Sequence, residues 1–133
     1  MTGITALLLF AAWTLVLMSI YVGYRTAMVM RGSNAASWTR GGQTEIPALV
    51  RRAEHAHMNC VENLPVVAAV VLSAYVLGKP GVADASMAYV LYARVAQSVV
   101  HVVGVNHVMV QVRAAFFTIQ ILLIARMIIA LVA

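Results

Sequence analysis

The chain has 133 residues, 63% of them hydrophobic and 10% charged, with a formal net charge of +5. An ordinary soluble domain, about 45–50% apolar, is therefore excluded. The positive charges are mostly arginines near the ends of apolar stretches, a pattern of topology signals and not of a nucleic-acid groove. The single cysteine, Cys60, allows no intrachain disulfide.

A helix needs about 20 residues to cross the hydrocarbon core. Four stretches are long enough: 3–30, 48–77, 84–105 and 109–132. They are continuous apolar runs and not short alternating ones, so membrane strands are excluded. The predicted fold is all-α, an integral membrane four-helix bundle forming a single domain over residues 1–133. The first run, Ile4 to Tyr24, exceeds a signal-peptide core and has neither a basic start nor a small-residue cleavage site. It is expected to be retained as a span. The connection from Arg31 to Gln43 is rich in turn formers, and Gly78-Lys79-Pro80-Gly81 reads as a tight turn. The short connection at Asn106 and His107 makes the third and fourth spans antiparallel neighbours.

Arg25, Arg31, Arg40, Arg51 and Arg52 flank or occupy the first loop, whereas the second holds Lys79 with Asp84 nearby. The positive-inside rule then places the first and third loops in the cytoplasm and both termini on the opposite side. The start of span two, the end of span three and the start of span four share the cytoplasmic face.

Span two carries Arg52, His55, Asn59 and Glu62 at offsets of three, four and three residues, which stack on one helical face. Span three carries Arg94, Gln97, Ser98 and His101 in the same way, and span four carries Arg113 and Gln120 seven residues apart. Charged groups at membrane depth are costly and seldom face lipid, so three such stripes predict an internal polar pocket. Glu62 and Arg94 are expected either to pair with each other or to contact a ligand. The surplus of arginines calls for an anion, which a guanidinium fork binds through carboxylates or phosphates. Asn59 and Glu62 add acceptors for an ammonium group, so a ligand with two carboxylates and one amine fits.

No metal site is expected. His55 and His57 are two apart and point about 160° away from each other on a helix. Nor does the chain offer a Ser-His-Asp order, a glycine-rich phosphate loop or paired hydrolytic carboxylates. Cys60 reads as a small buried residue.

The run from Arg52 through Ala56, Asn59 and Glu62 to Pro65 resembles the second-helix signature of the MAPEG family, the membrane-associated proteins of eicosanoid and glutathione metabolism. Arg94 with Gln97 is similar to that family's third helix, and Arg113-Ala114-Ala115-Phe116-Phe117 to the opening of its fourth. Where the family carries tyrosine the chain has His101, followed by Val102-Val103-Gly104. The resemblance covers nearly the whole chain.

It implies a homotrimer that holds glutathione as co-substrate between subunits in the cytoplasmic half, with a hydrophobic electrophile or lipid substrate arriving from the bilayer. Arg31, Arg52, Asn59, Glu62, Arg94 and Gln97 would hold glutathione. Arg113 would stabilise the thiolate, with His101 as hydrogen-bond donor or base. The implied activity is a membrane-bound glutathione transferase or peroxidase acting on electrophiles or lipid hydroperoxides. Some members of the family bind lipids without conjugating anything, so a non-catalytic lipid-binding or scaffolding trimer is the alternative.

Overall fold

The computed structural model describes residues 1–38 and 45–133, and within them all regular structure is helical. Arg40, counted above among the basic loop residues, lies outside the described residues.

Helix α1 runs over Gly3–Met30, opened by Thr2, whose Oγ1 accepts from the Thr5 amide at 3.2 Å. A short 3-10 turn at Ala35–Ser37 follows, capped by the Asn34 side chain. Helix α2 spans Ala48–Val76 and continues through Pro65, which has no N–H to give to the Val61 carbonyl. Its end is closed by Gly78 at φ +68°, a left-handed position suited to glycine, and by the Lys79 amide reaching back to Ala74 O at 2.8 Å. Pro80 opens helix α3, Pro80–Asp84. Helix α4 covers Met87–Val103 and helix α5 His107–Val132, the latter capped by Asn106 Oδ1 accepting from the Met109 amide at 2.9 Å.

The long helices run up and down. Packing is most extensive within two hairpins, α1 with α2 and α4 with α5, and α4 also lies against both α1 and α2. The core is drawn from all four: Phe10 and Leu17, Val67 and Val71, Met87 and Val90, Ile124 and Met127. α1, α2 and α5 are long and apolar enough to cross a membrane.

The third predicted span, 84–105, is shorter in the structure. Asp84 belongs to α3, and α4 is a helix of 17 residues that ends at the extended Gly104. At 1.5 Å per residue it is about 26 Å long, somewhat less than a hydrocarbon core of about 30 Å. The reason is local chemistry. Asp84 Oδ1 accepts from the Gly3 amide at 2.6 Å and from the Tyr75 hydroxyl at 2.7 Å, which holds α3 across the ends of α1 and α2. Ser86 Oγ accepts from Arg126 at 2.7 Å, fixing the start of α4 against α5. This end of the bundle carries the chain's N-terminus.

At the other end, Arg52 Nε donates to Val102 O at 2.8 Å and ties the beginning of α2 to the last turn of α4.

Candidate functional site

α4 turns its polar stripe inward. Arg94 is 1% exposed, Gln97 6%, Ser98 3% and His101 8%, so four polar side chains line the buried face of the helix that all the other long helices surround. A helix places residues three and four apart on one side, and the offsets 94, 97, 98 and 101 follow that rule.

Arg94 lies across the bundle interior. Its Nη1 donates to Asn59 Oδ1 at 2.5 Å, and its guanidinium carbon stands 5.6 Å from the centre of the Phe10 ring. The Cys60 thiol is a neighbour, with Sγ 3.8 Å from Ser98 Oγ. Arg94 Nε has no hydrogen-bond partner among the described residues. No carboxylate is among the groups acting on Arg94, and Glu62, the expected counter-charge, is exposed on the outside of α2 one turn beyond Asn59. The alternative in which Glu62 pairs with Arg94 inside a single subunit is therefore corrected. α2 turns Ala56, His57 and Cys60 into the bundle, which leaves Glu62 facing out. His57 is occupied internally, with Nδ1 3.0 Å from Thr14 O.

Towards the Arg52 end the groups near His101 are predominantly cationic. Arg113, His55 and Arg52 all act electrostatically on the His101 ring, whose centroid is 6.3 Å from that of His55. Arg113 is half-buried near the start of α5, and its Nε, like that of Arg94, is buried with no partner among the described residues. A buried unpaired donor costs about 1–3 kcal/mol, more when it is charged, so each of the two, one on α4 and one on α5, marks a place where an acceptor is wanted.

Gln97 Oε1 accepts from Gln120 Nε2 at 2.9 Å, a buried amide-to-amide bond between α4 and α5. Six of the residues predicted for the site, Arg52, Asn59, Arg94, Gln97, His101 and Arg113, thus converge on the interfaces of α4 with α2 and α5. Two do not. Arg31 caps the C-terminus of α1 and is exposed, and Glu62 faces outward. Phe10 under Arg94 was not foreseen, because a single aromatic in a uniformly apolar span carries no distinguishing pattern. Among the described residues no three His, Cys, Asp or Glu side chains form a metal-holding group.

An apolar groove of about 590 Å³ lies along α1 and α4, lined by Leu9, Trp13, Val16, Leu91, Tyr92 and Val95 among others. It uses positions of α4 offset from the polar stripe.

The arrangement can bind an anion with several acceptor groups and can stabilise negative charge on an atom placed between Arg113 and His101. A family model, described as the MAPEG family, matches residues 3–133. No curated protein and no solved structure matches the chain.

Proposed function

The chain belongs to the MAPEG family, and on that premise we propose that it is a membrane-bound glutathione transferase or peroxidase acting on hydrophobic electrophiles or lipid hydroperoxides. The observation that carries this reading is the two guanidinium groups, of buried Arg94 and half-buried Arg113, whose buried Nε atoms lack partners among the described residues. Glutathione supplies what they lack, namely two carboxylates, peptide carbonyls and a thiol that can carry negative charge.

In this reading Arg52, Asn59, Arg94 and Gln97 hold the tripeptide, and Arg113 and His101 face its sulfur. A thiol of pKa about 8.5–9 is mostly protonated at pH 7, and an adjacent cation lowers that by ~2 units. The thiolate then attacks the electrophilic carbon of a lipophilic acceptor, forming a C–S bond as the leaving group departs with its electron pair and takes a proton. With a hydroperoxide it attacks an oxygen, breaking the O–O bond to release an alcohol and leave a glutathione sulfenic acid, which a second glutathione converts to the disulfide with loss of water. Concentrating the acceptor in the bilayer beside the bound thiol adds proximity to charge stabilisation.

The homotrimer belongs to the same proposal. His55 and Glu62 lie on the exterior of the isolated subunit, along the face of α2 that also carries Asn59. Polar groups at membrane depth rarely face lipid, so a second copy of the chain would cover them and bring Glu62, with Arg31, to a site between subunits.

One observation favours the second reading, a non-catalytic lipid-binding trimer: the apolar groove beside Trp13 and Tyr92 is of a size to take an acyl chain and has no reactive group in its lining. Thiolate absorbance on adding glutathione to the purified protein separates the two, with Arg113→Ala as the control. A thiolate signal lost in Arg113→Ala supports the transferase. Tripeptide binding without a thiolate favours the lipid binder, and glutathione binding unaffected by Arg52→Ala and Asn59→Ala removes the site assignment altogether.

A further inference from the structure

The amide pair between α4 and α5 is oriented in one way only. Gln120 Nε2 donates to Phe116 O, one turn back on its own helix, at 2.9 Å, and to Gln97 Oε1, also at 2.9 Å. A carbonyl oxygen can only accept, so the Phe116 contact requires the nitrogen of Gln120 and not its oxygen to face that way. The same nitrogen then demands an acceptor from α4, which fixes the oxygen of Gln97 towards α5. Because a carboxamide is planar, this also fixes the plane of the Gln97 amide and with it the position of the two Nε2 donors, on the stripe that holds Arg94 three residues before and His101 four after.

Both side chains are buried, with Gln120 1% and Gln97 6% exposed, and Gln120 Oε1 has no donor among the described residues. An amide network left with an open acceptor is a costly way to join two helices, because burying that acceptor without a donor costs about 1–3 kcal/mol. Apolar residues would do the joining without the cost.

We propose that Gln120 is a positioning residue, which through its bond to Gln97 Oε1 holds the Gln97 amide donors towards a peptide carbonyl or carboxylate of the bound tripeptide and keeps the α4–α5 register that faces His101 to Arg113. This rests on the glutathione reading above. Gln120 lies two turns along α5 from Arg113, a distance of about 10 Å, so it acts through Gln97 and the helix and not by touching the sulfur.

The test compares wild type, Gln120→Leu and the double variant Gln97→Leu/Gln120→Leu in detergent micelles. It measures glutathione affinity, the pH midpoint of thiolate formation and the thermal midpoint. Gln120→Leu is expected to weaken glutathione binding by on the order of tenfold and to move the thiolate midpoint towards that of free glutathione. The double variant replaces both polar partners, which is close to neutral for stability, so it should recover the thermal midpoint and not the thiolate chemistry. If the double variant recovers both, the pair is only an interhelical tie and the inference is overturned. Wild type and Gln120→Leu agreeing in affinity and thiolate midpoint overturns it too. Wild type that binds no glutathione overturns the functional reading, and this inference with it. Should Gln120→Leu fail to fold, the double variant decides alone.

Discussion

Asn59 Oδ1 takes a hydrogen from Arg94 Nη1 at 2.5 Å across the α2–α4 interface, and so fixes the orientation of a guanidinium that is 1% exposed. The consequence is that Asn59 has a structural task within the subunit as well as a place in the proposed binding set. Asn59→Ala leaves Arg94 Nη1 only the longer contact to the Asn59 backbone carbonyl, 3.5 Å, and a hydrogen bond to a charged group is worth about 1.5–3 kcal/mol. Denaturation in mild detergent should show a loss of that size, together with weaker glutathione binding. A variant as stable as wild type would mean that the guanidinium finds another acceptor.

Arg113 is proposed to act on the sulfur and not on the peptide ends. Arg113→Ala should leave tripeptide binding within about threefold of wild type while the thiolate fraction at pH 7 falls from about one half to about one per cent, the change expected for a pKa difference of ~2 units. Absorbance titration against pH reads this directly. Equal thiolate midpoints in the two proteins would remove Arg113 from the chemistry.

Asp84 lies outside the long spanning helices, where titration is straightforward. The Gly3 amide and the Tyr75 hydroxyl both donate to its carboxylate and hold it below the usual carboxylate range, with partial burial opposing. Stabilisation from a depressed carboxyl is fully present above the unfolded value of about 3.9 and is lost as pH falls through the folded one. The thermal midpoint of wild type should therefore drop on acidification below about pH 4, whereas that of Asp84→Asn should be lower at neutral pH and flatter in acid. Parallel acid profiles for the two proteins would show that the clasp contributes nothing.

Gly3 meets α3 at close quarters. A Cβ built there would stand 2.7 Å from Ala83 Cβ and 3.3 Å from Asp84 Oδ1, closer than the packing admits. Gly3→Ala is expected to push α1 away from α3 and destabilise the fold by about 1–3 kcal/mol, as overpacking usually does. The effect should be smaller in an Asp84→Asn background, where the amide bond that needs the close approach is already weakened. Additive losses would separate the two contacts.

The sequence made the polar stripe of α4 legible because its members recur at helical spacing in an apolar run, and the structure buries every one of them. It was also sufficient for the helical class, since strands would have shown alternation. The short reach of α4 was not legible. Asp84-Ala85-Ser86 is compatible with helix, and only contacts from α1, α2 and α5 make it a break. That Glu62 faces outward within one subunit was not legible for a related reason. Helical spacing puts it on the side of Asn59, but that side straddles the edge of the bundle, so Asn59 is half-buried and Glu62 is not. Spacing reports which residues share a face and says nothing of how wide the buried sector is. Gln120 was visible as a polar residue on the stripe of Arg113, but its bond to Gln97 depends on the α4–α5 register, which no local pattern encodes.

The brevity and polarity of α4 also bear on biogenesis. A 17-residue segment carrying Arg94, Gln97 and His101 is a poor substrate for lateral release into lipid as it leaves the insertion machinery. α5, long and apolar enough to span, would have to be synthesised before its partner is accepted, so the two are expected to enter as one hairpin. A released chain truncated after Gly104 should accordingly leave α4 accessible to a water-soluble label, whereas one that includes α5 should protect it.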